Sequence, residues 1–199
     1  MASAIEVSVS VETATDVWTD ISEDVLAEEG VSIKYGIDGD KPLDAVASTG
    51  VAKFTVNGSK YSFQHADVLA GWQFGAGIRV LLQRTIDTAQ AVASITRSSA
   101  TATVTTSASH GYSTDDWVTI AGASQTGYNG SFRITKTAAT TFTYDLGTLT
   151  PATPASGTIT ARIGYLKHNG KLRSADPDPG VYRTRRVRVT SYDGIRDLA

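Results

Sequence analysis

Two stretches decide the fold class: Ser131-Phe132-Arg133-Ile134-Thr135-Lys136 and, four residues further on, Thr141-Phe142-Thr143-Tyr144-Asp145-Leu146. Phe132 and Ile134 alternate with Arg133 and Thr135. Phe142, Tyr144 and Leu146 alternate with Thr143 and Asp145. A period of two sends successive side chains to opposite faces of a strand, so each stretch reads as a half-buried β-strand. Val118 and Ile120 alternate with Trp117 and Thr119 in the same way. Turn residues separate these runs: His110-Gly111, Gly122-Ala123, Tyr128-Asn129-Gly130 and Ser156-Gly157.

Working outward, the segment 94–161 is Ser/Thr-rich, with 27 of 68 residues. Such a composition suits a flexible linker, but the alternation excludes one. Threonine is a good strand former on a solvent face. The segment therefore reads as a small β-sandwich of about five to seven strands. Its formal charge is zero, whereas 1–93 carries −7 and 162–199 carries +5. The total of −2 is a cancellation between two outer segments of opposite sign.

Those outer segments also read as β. Ile5, Val7, Val9 and Val11 alternate with polar residues, as do Val31, Ile33, Tyr35 and Ile37. Further strands are expected at Ala52-Phe54-Val56, Ile78-Val80-Leu82, Ile159-Ala161-Ile163-Tyr165 and Val187-Val189. Asn169-Gly170 lies between apolar runs and signals a tight hairpin. Helix signals are weak, with short helices expected only at 64–72 and 84–93. The C-terminal segment of 38 residues is too small to hold a core alone. The expected architecture is all-β: a discontinuous β-barrel or sandwich scaffold domain, 1–93 plus 162–199, with a small β-sandwich inserted at 94–161.

Composition excludes several functions. There is no cysteine among the 199 residues, so disulfide scaffolds, thiolate metal sites and cysteine nucleophiles are excluded. No apolar run approaches the length of a membrane-spanning helix. The start has no basic region followed by an apolar stretch, so no signal peptide is expected. The near-neutral total does not suit sequence-specific nucleic-acid binding.

The order of the motifs resembles a family. Val17-Trp18-Thr19-Asp20-Ile21-Ser22-Glu23-Asp24-Val25 is similar to the opening W-T-D-(I/V)-S-x-D-V of bacteriophage tail-tip and baseplate hub proteins. Val31-Ser32-Ile33-Lys34-Tyr35-Gly36 and Ala47–Asn57 resemble the strands that follow, with Val56 in place of the usual leucine. Gly77-Ile78-Arg79-Val80, Tyr165–Leu172 and Arg186–Gly194 resemble later strands and the closing D-G. The interval from about 93 to 161 resembles a β-module of phage tail and fibre proteins. Two departures are the missing acidic repeat after Asn57 and the end of the chain at Ala199, where many relatives continue. The resemblance implies a non-enzymatic structural protein of the virion, assembled in the host cytoplasm as a ring, trimeric or hexameric, at the end of the tail tube. Its implied partners are further copies of itself and other tail proteins: tail tube, tape measure, hub and fibre. A carbohydrate-binding or host-adhesion module is the alternative.

Candidate sites are few. His65, His110 and His168 lack partners at metal-ligand spacing, and Asp38, Asp40 and Asp44 miss the EF-hand pattern. No nucleophile elbow, zincin or phosphate-loop motif occurs, so no catalytic residue, metal or cofactor is expected. The basic cluster Arg183, Arg185, Arg186 and Arg188 reads either as charge protecting an edge strand or as a protomer contact with Glu23, Asp24, Glu28 and Glu29. For the alternative function, Trp117 and Tyr128 are the expected adhesion surface.

Overall fold

The computed structural model describes residues 5–37, 47–63, 68–84, 86–177 and 186–193. The described residues form twelve strands, three single-turn 3₁₀ segments and no α-helix. The strands are β1 (Ile5–Ala14), β2 (Val17–Asp20), β3 (Val31–Ile37), β4 (Ala47–Asn57), β5 (Gly77–Arg84), β6 (Gln90–Ser98), β7 (Thr101–Thr106), β8 (Trp117–Ala123), β9 (Gly130–Lys136), β10 (Thr141–Asp145), β11 (Gly157–Pro177) and β12 (Arg186–Asp193). The all-β expectation holds. The chain divides into two compact units. One comprises 1–6, 14–19 and 81–166; the other comprises 7–13, 20–80 and 167–199. The expected boundaries at 94 and 161 fall inside β6 and β11.

In the first unit the pairings run β6–β7–β10–β9–β8–β11 and return from β11 to β6, all antiparallel. That ring is a closed six-stranded barrel, where the sequence suggested two sheets of an open sandwich. Closure depends on β11, which pairs with β6 at Thr160↔Ala91 and with β8 from Gly157 to Gly164. The barrel removes free edges that an open sheet would present. Its interior takes the apolar member of each alternating pair: Ile95, Val104, Val118, Ile120, Ile134, Phe142 and Tyr144 are buried.

A β-bulge lets β8 and β11 bend. Gly122 (φ +86°) and Gly157 (φ +116°), the latter opposite Ala123, lie where the register shifts between Gly157 and Thr160. A Cβ on Gly122 would collide with the Thr158 carbonyl oxygen, and one on Gly157 with the Gly122 carbonyl. Both the positive φ and the close approach require glycine here. Asn129 locks the neighbouring turn: its Oδ1 accepts from Ala123 N–H at 2.9 Å and its Nδ2 donates to Ala123 O at 2.8 Å.

In the second unit β3 pairs with β4, β4 with β12 and β12 with β11. Ala52, Phe54 and Val56 of β4 and Val187 and Val189 of β12 point into a core with Val9, Val11, Trp72, Ile78 and Leu172. The bulge between Leu172 and Ser174 shifts the parity of β11, so Leu172 and Ala175 both face that core. Along β1 the four residues Ser8 to Val11 are buried, Val9 and Val11 in the apolar core; Ile5 and Val7, on the same alternating face as those two, are exposed.

Two local expectations fail. Asn169-Gly170 does not form a hairpin but lies inside β11, and neither residue has positive φ. Gly170 is needed for a different reason: a Cβ there would strike the Tyr192 carbonyl and the His168 ring. Close packing between strands, not a turn, selects the glycine. Of 84–93, residue 84 ends β5, 86 and 87 form a turn and 90–93 begin β6, with no helix among these described residues; residue 85 lies outside them. Of 64–72, residues 64–67 lie outside the described residues and 68–72 form turns.

Candidate functional site

The segment that carries the family resemblance folds as a stapled turn. Asp20 Oδ1 accepts from the Ser22 N–H at 2.8 Å and from the Ser22 hydroxyl. Ser22 Oγ in turn accepts from Val9 N–H at 2.9 Å, and Ile21 N–H donates to Val9 O at 2.8 Å. Ile21 is thereby set into the core. Val25 makes an isolated bridge with Val56, which carries the chain onto the β3–β4–β12–β11 sheet.

On that sheet the residues alternating with the core face outward as polar rows. Ser32, Lys53, Thr190 and Ser174 stand opposite one another across β3, β4, β12 and β11; Thr55, Arg188 and Asp176 form the next row. Opposite charges directly across a ladder, as Arg188 and Asp176 are, favour the observed register. Glu29 closes the row from the preceding loop. Its carboxylate accepts from the Thr55 hydroxyl and from Arg186 Nη1 at 3.2 Å, while Glu28 lies 3.9 Å from Arg186 Nη2. The result is a surface groove of about 330 Å³ lined by Glu29, Lys53, Thr55, Asp176, Arg188 and Thr190 among others. Its walls carry two cations and two carboxylates.

The acidic and basic residues singled out in sequence thus partly meet. Arg186 pairs with Glu28 and Glu29 within one chain. Arg188 is exposed and lines the groove. Glu23 is exposed. Asp24 is engaged elsewhere: Lys60 Nζ lies 2.7 Å away, and the Tyr61 hydroxyl donates to it. Burial works to raise the Asp24 carboxyl, but the bonds from Lys60 and Tyr61 outweigh it and hold the carboxyl below its ordinary value. Burial first, and then Asp24, push the Tyr61 phenol far up, so it stays a donor at every ordinary pH. Arg183 and Arg185 lie outside the described residues, as do Asp38, Asp40, Asp44 and His65.

The expected adhesion pair separates. Tyr128 is fully buried in the barrel, and its backbone carbonyl receives the Tyr144 hydroxyl at 3.0 Å. Its ring fills the core of a small barrel and offers no platform to a ligand. Trp117 is half-buried at the start of β8, and Trp72 is core. Among the described residues no group of three or more His, Asp or Glu is placed to hold a metal ion. No helix of the described residues is long and apolar enough to cross a membrane.

Sequence reasoning missed Ser32, Lys53, Thr55 and Asp176 as members of the groove. Each is a lone polar residue on an alternating strand, and only strand order places four such strands side by side. The usable signal was that Lys53 and Thr55 alternate with Ala52, Phe54 and Val56. Compared with protein-family models, with curated proteins and with solved structures, the chain gives no match in any of the three.

Proposed function

We propose that the chain is a non-enzymatic structural component of a phage tail tip or baseplate. In this reading it assembles as a trimeric or hexameric ring at the end of the tail tube and contacts other tail proteins. One observation carries the reading: the segments that resemble the hub family, taken in chain order, lie on neighbouring elements. The Asp20–Val25 turn bridges to β4, β3 pairs with β4, β4 with β12, and β12 with β11. Motifs scattered over the sequence by chance have no reason to register against one another. The charged rows on the outer face of the same sheet supply the mixed polar surface that a repeated subunit contact uses.

The test is the assembly itself. Light scattering coupled to size exclusion, followed by negative-stain imaging, is expected to find closed rings of three or six copies. Mass spectrometry of purified tailed particles is expected to find the chain in the virion. A protein that stays monomeric at high concentration and is missing from the particles overturns the proposal.

A further inference from the structure

One end of the β11–β12 ladder, at Gly170↔Asp193, buries a polar cluster that the assembly reading does not use. His168 is 2% exposed and Ser191 is 0% exposed. His168 Nε2 lies 2.9 Å from Ser191 Oγ. The second ring nitrogen, Nδ1, is buried without a hydrogen-bond partner, and so is Asp193 Oδ1. Asp193 stands two residues beyond Ser191 on β12 and shares its face. The cluster is tightly walled. A Cβ on Gly170 would meet His168 Nε2 at 2.5 Å, and one on Gly50 would meet the Tyr35 ring at 2.6 Å and strike Asp193 Oδ2. A larger residue fits at neither glycine without displacing the cluster.

A neutral imidazole has one N–H, and bonding to Ser191 uses a single ring nitrogen. An imidazolium has two donors. In the observed arrangement Nδ1–H has no acceptor, and the added charge sits in a site closed to water. The rest of the surroundings does not rescue it. Asp193 on β12 favours the cation but makes no hydrogen bond to it. Lys167 and Lys171 flank His168 on the opposite face of β11. β4 contributes Gly50 and β3 contributes Tyr35, neither charged at neutral pH. β5, which also pairs with β11, carries Arg79, a further cation.

We propose that His168, Ser191 and Asp193 form an acid-operated release for this end of the ladder. Uptake of one proton by the imidazole breaks the Ser191 contact, opens the Gly170–Asp193 pairing and hydrates the imidazolium and the carboxylate together. The site lies at the terminal pair of the described ladder, so it opens without breaking the pairs from Ser174 to Pro177. The direction follows from burial, which lowers the imidazole's affinity for its proton more than Asp193 restores it. Because the folded imidazole titrates below the unfolded one, the pairing is at full strength above the ordinary imidazole value near 6.5. It weakens as pH falls through that value towards the lower, folded one.

Hydrogen exchange between pH 7.5 and 5.5, corrected for intrinsic rates, tests this on the full chain. Protection at residues 168–172 and 190–193 is expected to fall by up to about tenfold per pH unit, the limit for one coupled proton. Amides of β9 and β10 are expected to keep theirs. In His168→Gln the pH dependence disappears. Protection at this ladder end that ignores pH, or that keeps its pH dependence in His168→Gln, overturns the proposal. Should His168→Gln not fold, the wild-type ring titration followed by NMR decides. Its midpoint must coincide with the loss of protection, and a ring that titrates with no loss rejects the release.

Discussion

Tyr128 and Tyr144 touch in the barrel, yet their hydroxyls do different work. The Tyr144 hydroxyl donates to Tyr128 O at 3.0 Å, while the Tyr128 hydroxyl is buried with no partner. A buried hydroxyl without a partner contributes no stability, and a satisfied one contributes about 1 kcal/mol. Chemical denaturation is therefore expected to show Tyr128→Phe as neutral or slightly stabilising, and Tyr144→Phe as destabilising by about 1 kcal/mol. Equal losses in the two variants contradict this assignment. Neither role was legible in the sequence, where Tyr128 stands beside Asn129-Gly130 and reads as an exposed turn residue. The turn is there, but its 3₁₀ segment Thr126–Tyr128 aims the ring inward. Asp24 gives a second residue-scale test. Its carboxyl is held below the ordinary value, so its contribution is present above pH 4 and is lost as pH falls through its folded value. Asp24→Asn is expected to destabilise the fold at pH 7 by under about 1 kcal/mol for a half-solvated ion pair, read as a lower melting temperature. The difference from wild type should shrink as pH falls below 4.

At the scale of the element, the β8–β11 bulge tests whether space or backbone angle selects glycine. Gly111 (φ +72°) has open space where a Cβ would go; Gly122 (φ +86°) does not. Gly111→Ala carries only the left-handed penalty of about 1 kcal/mol. Gly122→Ala adds a collision with the Thr158 carbonyl and is expected to cost more than about 2 kcal/mol. Calorimetry on the pair distinguishes them, and similar costs would show that the bulge relaxes freely. The strands themselves were legible, because alternation marks them whatever they pair with. One misread element was Asn169-Gly170. A dipeptide that suits a hairpin also suits a strand position crowded by a neighbour, and local sequence carries no sign of that neighbour. In this chain the neighbour is Tyr192, over twenty residues away.

For the whole molecule, the charge segregation along the chain has two outcomes. Arg186 with Glu28 and Glu29 joins the basic end to the acidic segment within one chain. These groups are substantially exposed, so Arg186→Ala is expected to cost less than about 1 kcal/mol, and less still in high salt. The exposed Arg188 belongs to the proposed subunit contact. Arg188→Glu is expected to abolish the ring in light scattering while leaving the far-ultraviolet circular dichroism unchanged. Rings that persist in this variant place the contact elsewhere. The grouping of Arg186 with Glu28 and Glu29 was legible from the charge pattern, but that they meet within one chain was not, since partners 157 residues apart are joined only by strand order.

The sequence by itself determined the β class, the approximate strands and the opposite charge of the two ends. These are properties of local pattern: a period of two, turn residues and composition act over a few residues each. Only the tertiary structure decided that the Ser/Thr-rich segment closes into a barrel, that Tyr128 is core, and that His168 is sealed against Ser191. Closure depends on one long strand, β11, pairing with β6 and β8 at once. Burial depends on what the rest of the chain places over a residue. Both are non-local quantities, summed over contacts that no window of sequence contains.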